Sequence, residues 1–188
     1  MKFARALALP IALAACAGTG DRCAALPQGQ YCLQPSADVA PFEATQIVRL
    51  RIGERRETLV AALEVDADGL HMAGLTPLGQ KLLQLDYDNR AASVQSPAGA
   101  RIDAVQLAAL LQLALWPAAS VRAGLSPALA LEDDGGARRI VGGGAPVVSI
   151  RREGDAPPYR SVQLSVPGAD LEMTVETVDD AARAGETR

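Results

Sequence analysis

Aromatic side chains are scarce, with two Phe, three Tyr and one Trp in 188 residues, so packing must rest on Leu, Val and Ala. Histidine occurs once, at His71, which leaves any nucleophile–base–acid triad dependent on one residue in a strand pattern beside a turn. No Gly-x-Ser-x-Gly elbow is present. Asp66 with Asp68 and Asp86 with Asp88 flank Gly or Asn turns, where Asp is favoured for backbone reasons rather than acid–base work. Asp66-Ala67-Asp68-Gly69 lacks the later ligands and closing Glu of a calcium loop. Gly142-Gly143-Gly144 lacks the Lys and Ser/Thr of a phosphate loop. The chain therefore reads as a non-enzyme with no cofactor and no metal. A basic excess is missing too, since 18 Lys and Arg stand against 22 Asp and Glu for a net charge of −4, and no nucleic-acid partner is expected. The pairs Arg55-Arg56, Arg138-Arg139 and Arg151-Arg152 sit in or beside turn signals and read as solvated surface.

Long apolar runs are also missing. The longest, Ala6 to Ala15, is half the length of about twenty residues needed to span a bilayer. It follows the positive segment Met1-Lys2-Phe3-Ala4-Arg5, the order of an export signal. It ends in Leu13-Ala14-Ala15-Cys16, which resembles the lipobox of bacterial lipoproteins. The resemblance implies that residues 1–15 are a signal peptide and that Cys16 becomes the lipid-bearing N-terminus, whose acyl chains make membrane attachment lasting. Ala17 stands where inner-membrane retention usually places Asp, so the implied location is the outer membrane, facing the periplasm. Two cysteines remain, Cys23 and Cys32, in a compartment that permits disulfides. Pro27 and Gly29 can turn the chain between them, and a disulfide is expected; a zinc site, the alternative, would lack the rest of its ligands.

Residues 16–41 are rich in Ala, Gly, Pro and polar types without period and read as a tether holding the disulfide. The domain is expected over 42–178 and a polar tail over 179–188. From Phe42 to Ile52, Phe42, Ala44, Gln46, Val48, Leu50 and Ile52 alternate with Arg49 and Arg51, the pattern of a strand with one wet face. Turn clusters then separate Glu57–Val65, Leu70–Leu75, Gln80–Tyr87 and Ala91–Gln95, giving about five antiparallel strands. The period changes at Asp103, which forms a capping-box pattern with Gln106. Leu107, Leu110, Leu111, Ala114 and Leu115 follow at helical spacing until Trp116-Pro117. The helix is apolar over so much of its girth that it must be covered on several sides or line an apolar cavity. A short second helix is expected after Ser120. Five more strand signals follow, from Ala128 to Val178. The fold class is thus mainly antiparallel β with one or two central helices, a curved sheet around an apolar helix.

The stretches Leu63-Glu64-Val65-Asp66 through Leu70, Ala73 through Leu82, and Leu113-Ala114-Leu115-Trp116-Pro117 resemble a bacterial outer-membrane lipoprotein family of unknown function associated with aryl polyene gene clusters. That family is similar to the lipoprotein-localisation proteins LolA and LolB. The resemblance implies an unclosed β-barrel whose open side is plugged by helices and whose apolar cavity accepts acyl chains. It casts Val48, Leu50, Leu107, Leu110, Leu111, Leu115 and Trp116 as candidate cavity residues, although a filled core would use the same side chains. The implied function is membrane-anchored binding of an apolar acyl or polyene lipid and its transfer or placement in the envelope. The alternative is a scaffold that recruits an envelope protein partner without any cavity. A third reading, an enzyme of lipid or pigment maturation, would rest on His71 or Asp86.

Overall fold

The computed structural model describes residues 22–97 and 102–178; the signal segment, Cys16 and the tail from 179 lie outside them. The chain forms β1 (Cys23–Leu26), β2 (Gly29–Cys32), β3 (Phe42–Ile52), β4 (Arg55–Val65), β5 (Leu70–Leu75), β6 (Lys81–Tyr87) and β7 (Ala92–Gln95). Two helices follow, α1 (Ala104–Leu115) and α2 (Ala118–Gly124). The chain then forms β8 (Leu129–Asp133), β9 (Ala137–Gly142), β10 (Ala145–Glu153), β11 (Ser161–Val166) and β12 (Leu171–Thr177). β1 and β2 pair with each other, and the other ten strands form one antiparallel sheet in the order β7-β6-β5-β4-β3-β12-β11-β10-β9-β8. β7 and β8 are its two edges, so the sheet is unclosed. No helix of the described residues is long and apolar enough to cross a membrane.

The alternation expected from Phe42 to Ile52 is clear from Gln46 to Arg49 and fades beyond, where Leu50 and Arg51 are both half-buried and Ile52 is exposed; the pairing register sets the neighbours of the apolar row. Gln46, Val48 and Leu50 lie opposite Ala61, Leu59 and Glu57 on β4, and opposite Thr177, Val175 and Met173 on β12. Side chains on alternate residues share a face, so one face of the sheet gathers the apolar rows. The other face carries Arg49 paired with Glu176, Arg51 with Asp170 and Glu172, and Arg139 with Glu132.

The strand ends define two ends of the molecule. At the near end, Phe42, Val65, Leu70, Tyr87 and Ala92 form one row across five strands. Its turns are Asp-stabilised: Asp66 Oδ1 accepts from the N–H of Asp68 and Gly69 at 2.8 and 2.9 Å, and Asp88 Oδ1 accepts from Arg90 and Ala91. Glycine is required at 69 because a Cβ there would collide with the Tyr87 carbonyl oxygen. At the far end lie the β3–β4 turn, with Gly53 at φ +58°, and the β5–β6 turn, closed by Gly79 N–H to Thr76 O at 2.8 Å.

The two helices lie at opposite edges of the sheet. Asp103 caps α1 as expected, accepting from Gln106 N at 3.0 Å. The helix packs on β1, β6 and β7, and α2 packs on β8. β7 stops at Gln95, in the cross-strand row of Gln84, Ala73, Ala62 and Thr45, and the last turn of α1 lies at the near end, bonded to Gln34 and Pro35. Ala108, Ala109, Leu110, Gln112, Leu113, Ala114 and Leu115 are all buried, which accounts for a helix apolar on more than one side.

Two expectations are corrected. The segment read as a tether is folded from residue 22 onward: the β1–β2 hairpin carries the Cys23–Cys32 disulfide, and Tyr31, Leu33 and Val39 are buried in the core. Strands of four residues are too short for a period of two to repeat, so no alternation marks them. α2 begins at Ala118 rather than after Ser120, with Pro117 as its N-cap. Ser120 itself is buried, and its Oγ donates to Asp38 Oδ2 at 2.6 Å.

Candidate functional site

The near end is closed by polar bonds. Trp116 is fully buried, and its indole Nε1 donates to Pro35 O at 2.8 Å. One turn earlier, buried Gln112 accepts from Tyr31 Oη at 3.1 Å and Gln34 N at 2.7 Å, and donates to Gln34 O at 2.9 Å. Burial, and then the neighbouring Tyr87, hold the Tyr31 phenol above its ordinary pKa. Across the helix, Arg138 on β9 donates to the Leu113 and Trp116 carbonyls at 2.6 and 2.9 Å. These carbonyls belong to the last turn of α1, where the helix has no partners of its own to offer.

Arg138 belongs to a buried ionic cluster. Its Nε meets Asp133 Oδ2 at 2.6 Å, and Arg152 Nη2 meets Asp133 Oδ1 at 2.8 Å; the three side chains are almost wholly buried. Arg152 also donates to Gly135 O and lies 5.2 Å from the Tyr159 ring centroid. Burial pushes the Asp133 carboxyl up, but the Gly135 N–H and the two guanidiniums outweigh it and hold it below the usual carboxylate range. The Arg pairs are thus not uniformly solvated. Period two puts Arg138 in line with Ile140, and Arg152 with Ile150, on the apolar face, while Arg139 and Arg151 point outward. That alternation was the available signal for the cluster.

At the far end the same apolar face is only half covered. Val48 is buried, whereas Leu50 is half-buried beside it. Leu59, Leu171 and Met173 are partly buried and pack on the core, as do Leu107 and Leu111 from the first turns of α1. Ile52, at 48% exposure, and Leu78, at 90%, are the exposed large hydrophobics of the described residues, and both belong to this end. Of the seven predicted cavity residues, Leu50, Leu107 and Leu111 are half-buried and Val48 is buried. Leu110 and Leu115 are buried in the core, and Trp116 seals the opposite end. Ile52, Leu59, Leu171 and Met173 join the region through the β3–β12 and β3–β4 pairings, long-range partners that periodicity alone does not supply.

A second concavity, of about 400 Å³, opens on the polar face over Ala62 and Ala73. Glu43, Glu64, His71 and Asp86 line it in one cross-strand row. His71 Nδ1 lies 2.8 Å from Asp86 Oδ1, and Gln84 Nε2 donates to Asp86 Oδ2 at 3.2 Å. The pair orients the imidazole, but its lining brings no Ser or Cys beside it. Among the described residues, no group of three or more His, Cys, Asp or Glu side chains is placed to hold a metal ion.

Residues 43–179 match the model of a family described as a protein of unknown function, DUF3261. The chain belongs to that family. Its match begins one residue after the start of β3 and takes in the whole ten-stranded sheet and both helices. No curated protein matches the chain. Among solved structures, the DUF3261 chain is similar to a LolA superfamily protein from Nitrosomonas europaea, at 8% identity and a TM-score of 0.41, over 77% of this chain and 89% of that one.

Proposed function

We propose that this DUF3261 protein is a non-enzymatic lipoprotein, anchored in the outer membrane through Cys16, that binds an apolar ligand of the acyl or polyene type and assists its transfer or placement in the envelope. The observation that carries this reading is the incomplete cover of the apolar face at the far end. Leu50, Leu59, Leu107, Leu111, Leu171 and Met173 stay part-exposed there, while the near end is bonded shut. Water contact with such side chains costs free energy, and an apolar chain laid across them recovers about 25 cal/mol per Å² covered.

A purified domain lacking its anchor is expected to take up a fluorescent fatty acyl probe, and Leu111→Asp or Leu50→Asp is expected to weaken uptake at least several-fold while the fold persists. Equal uptake by both variants, or none by the parent, would sink the reading. A second reading, a scaffold that recruits an envelope protein, is favoured by one observation: a recess of about 400 Å³ lies on the polar face, along Glu43, Glu64, His71 and Asp86. Cross-linking that captures a partner regardless of Leu111→Asp, and that is lost with Glu64→Lys, would select it.

A further inference from the structure

We propose that the polar face of the sheet over β3 to β6 is a docking surface for an extended segment of another protein, one that carries a lysine or arginine between two small apolar side chains. The proposal deepens the scaffold reading of the polar-face recess and does not depend on a ligand of the apolar face.

The pairing register sets Glu43 directly opposite Glu64, and Glu64 opposite His71. Like charges directly opposite on antiparallel strands are destabilising, and elsewhere on this face the strands avoid them. Glu132, Glu153, Glu172 and Glu176 each meet an arginine. Glu43 and Glu64 are exposed, and among the described residues neither has an ion-pair partner. The basic residues around them are engaged elsewhere or pair with neither. Arg49 Nη1 holds Glu176 at 2.9 Å, Arg160 faces Glu153, and Lys81 Nζ donates to Gln84 Oε1 at 2.9 Å. His71 is bonded to Asp86, and Arg90 in the β6–β7 turn reaches neither glutamate. The two glutamates thus hold a local repulsion that a cation from outside turns into attraction.

The shape of the face suits the same occupant. Glu43 and Glu64 line two hollows at once and form the ridge between them. One hollow, of about 400 Å³, lies over Ala62 and Ala73; the other, of about 360 Å³, lies toward the near end over Pro41, Phe42, Val65 and Asp66. The alanines make the first hollow, because the next row toward the far end carries the larger Ile47, Val60 and Leu75. Side chains on one face of an extended chain repeat every second residue, about 7 Å apart. A segment laid along β4 with its basic side chain over the ridge therefore sets the side chains two residues before and after it into the two hollows. Around the ridge, Asp66, Asp68, Asp86 and Asp88 outweigh Lys81 and Arg90. A surface of this sign repels an anionic bilayer and attracts a basic protein segment.

The test uses the full lipidated chain in detergent micelles, with alanine methyls labelled for NMR, and the peptide Val-Gly-Lys-Gly-Val blocked at both ends. The peptide is expected to shift the Ala62 and Ala73 methyls and the His71 ring, whereas Val-Gly-Glu-Gly-Val shifts none of them. Glu43→Gln combined with Glu64→Gln is expected to weaken binding several-fold without lowering the urea midpoint, since it removes a repulsion. Glu132→Gln, on the same face but in β8, is expected to leave binding unchanged. No shift at Ala62 and Ala73, equal shifts with the glutamate peptide, undiminished binding by the double variant, or a lower midpoint in it would each overturn the proposal. Capture of an envelope protein by cross-linking and uptake of an acyl probe are separate readouts, so either reading can fail while the peptide result stands.

Discussion

At the near end α1 is held by directional bonds: Arg138 takes its last carbonyls, Gln112 ties it to Tyr31 and Gln34, and Trp116 reaches Pro35. At the far end the same helix rests on Leu107 and Leu111, which pack on the core without being enclosed by it. Directional bonds fix one geometry because a missing partner leaves a buried polar group unsatisfied. Apolar contacts tolerate rearrangement and exchange, since any apolar surface of suitable shape can replace another. One helix thus combines a last turn fixed by bonds with first turns held by apolar contacts alone, and the difference places most of the stability in the former and leaves the proposed ligand binding to the latter.

The sharpest way to break this contrast is at Asp133. Asp133→Ala leaves two buried guanidiniums without their shared carboxylate and is expected to cost about 3–5 kcal/mol, read as a lower urea midpoint. The folded pKa of Asp133 is depressed, so its contribution is fully present above the unfolded value of about 3.9 and is lost as pH falls through the folded value. Stability of the parent should therefore drop below about pH 4, and part of that drop should vanish in Asp133→Asn. Gln112→Leu removes three buried bonds and should cost about 3 kcal/mol by the same measurement. Reducing the disulfide, or replacing both cysteines by Ser, should cost about 2.5 kcal/mol for a closed loop of this length; an unchanged midpoint would show that the hairpin needs no clasp.

Smaller effects are expected at the far end. Leu111→Ala should cost about 1–2 kcal/mol, below the usual range for fully buried leucines because the side chain is only partly covered, and should lower probe uptake by more than that loss explains. Leu78→Asp should leave the midpoint within about 0.5 kcal/mol. A large loss there would mean that the turn is part of the core, and the division between the two ends would fail.

Much of the sheet was legible because β3 to β6 are long enough for period two to repeat, and α1 because Asp103 and the leucine spacing mark its start and inner surface. The β1–β2 hairpin was hidden in a Pro- and Gly-containing segment whose buried Tyr31 finds its partner, Gln112, on α1 rather than locally. Arg138 and Arg152 were misread because charge was weighed before register; a charged residue on an apolar row is buried only when a partner such as Asp133 arrives from another strand. Leu59 on β4 and Leu171 and Met173 on β12 join the apolar row of β3 only through strand pairing, which the period of one strand does not reveal.

That pairing orders events in time. Gln46 and Thr177, bonded at 3.2 Å, are 131 residues apart in the chain, and β3 pairs with β12 from Gln46 to Ile52 in the middle of the sheet. Contacts so distant in sequence form late, after the intervening loop has been closed. A chain emerging from its N-terminus therefore lacks the seam that joins the two halves of its sheet until the last segment is released.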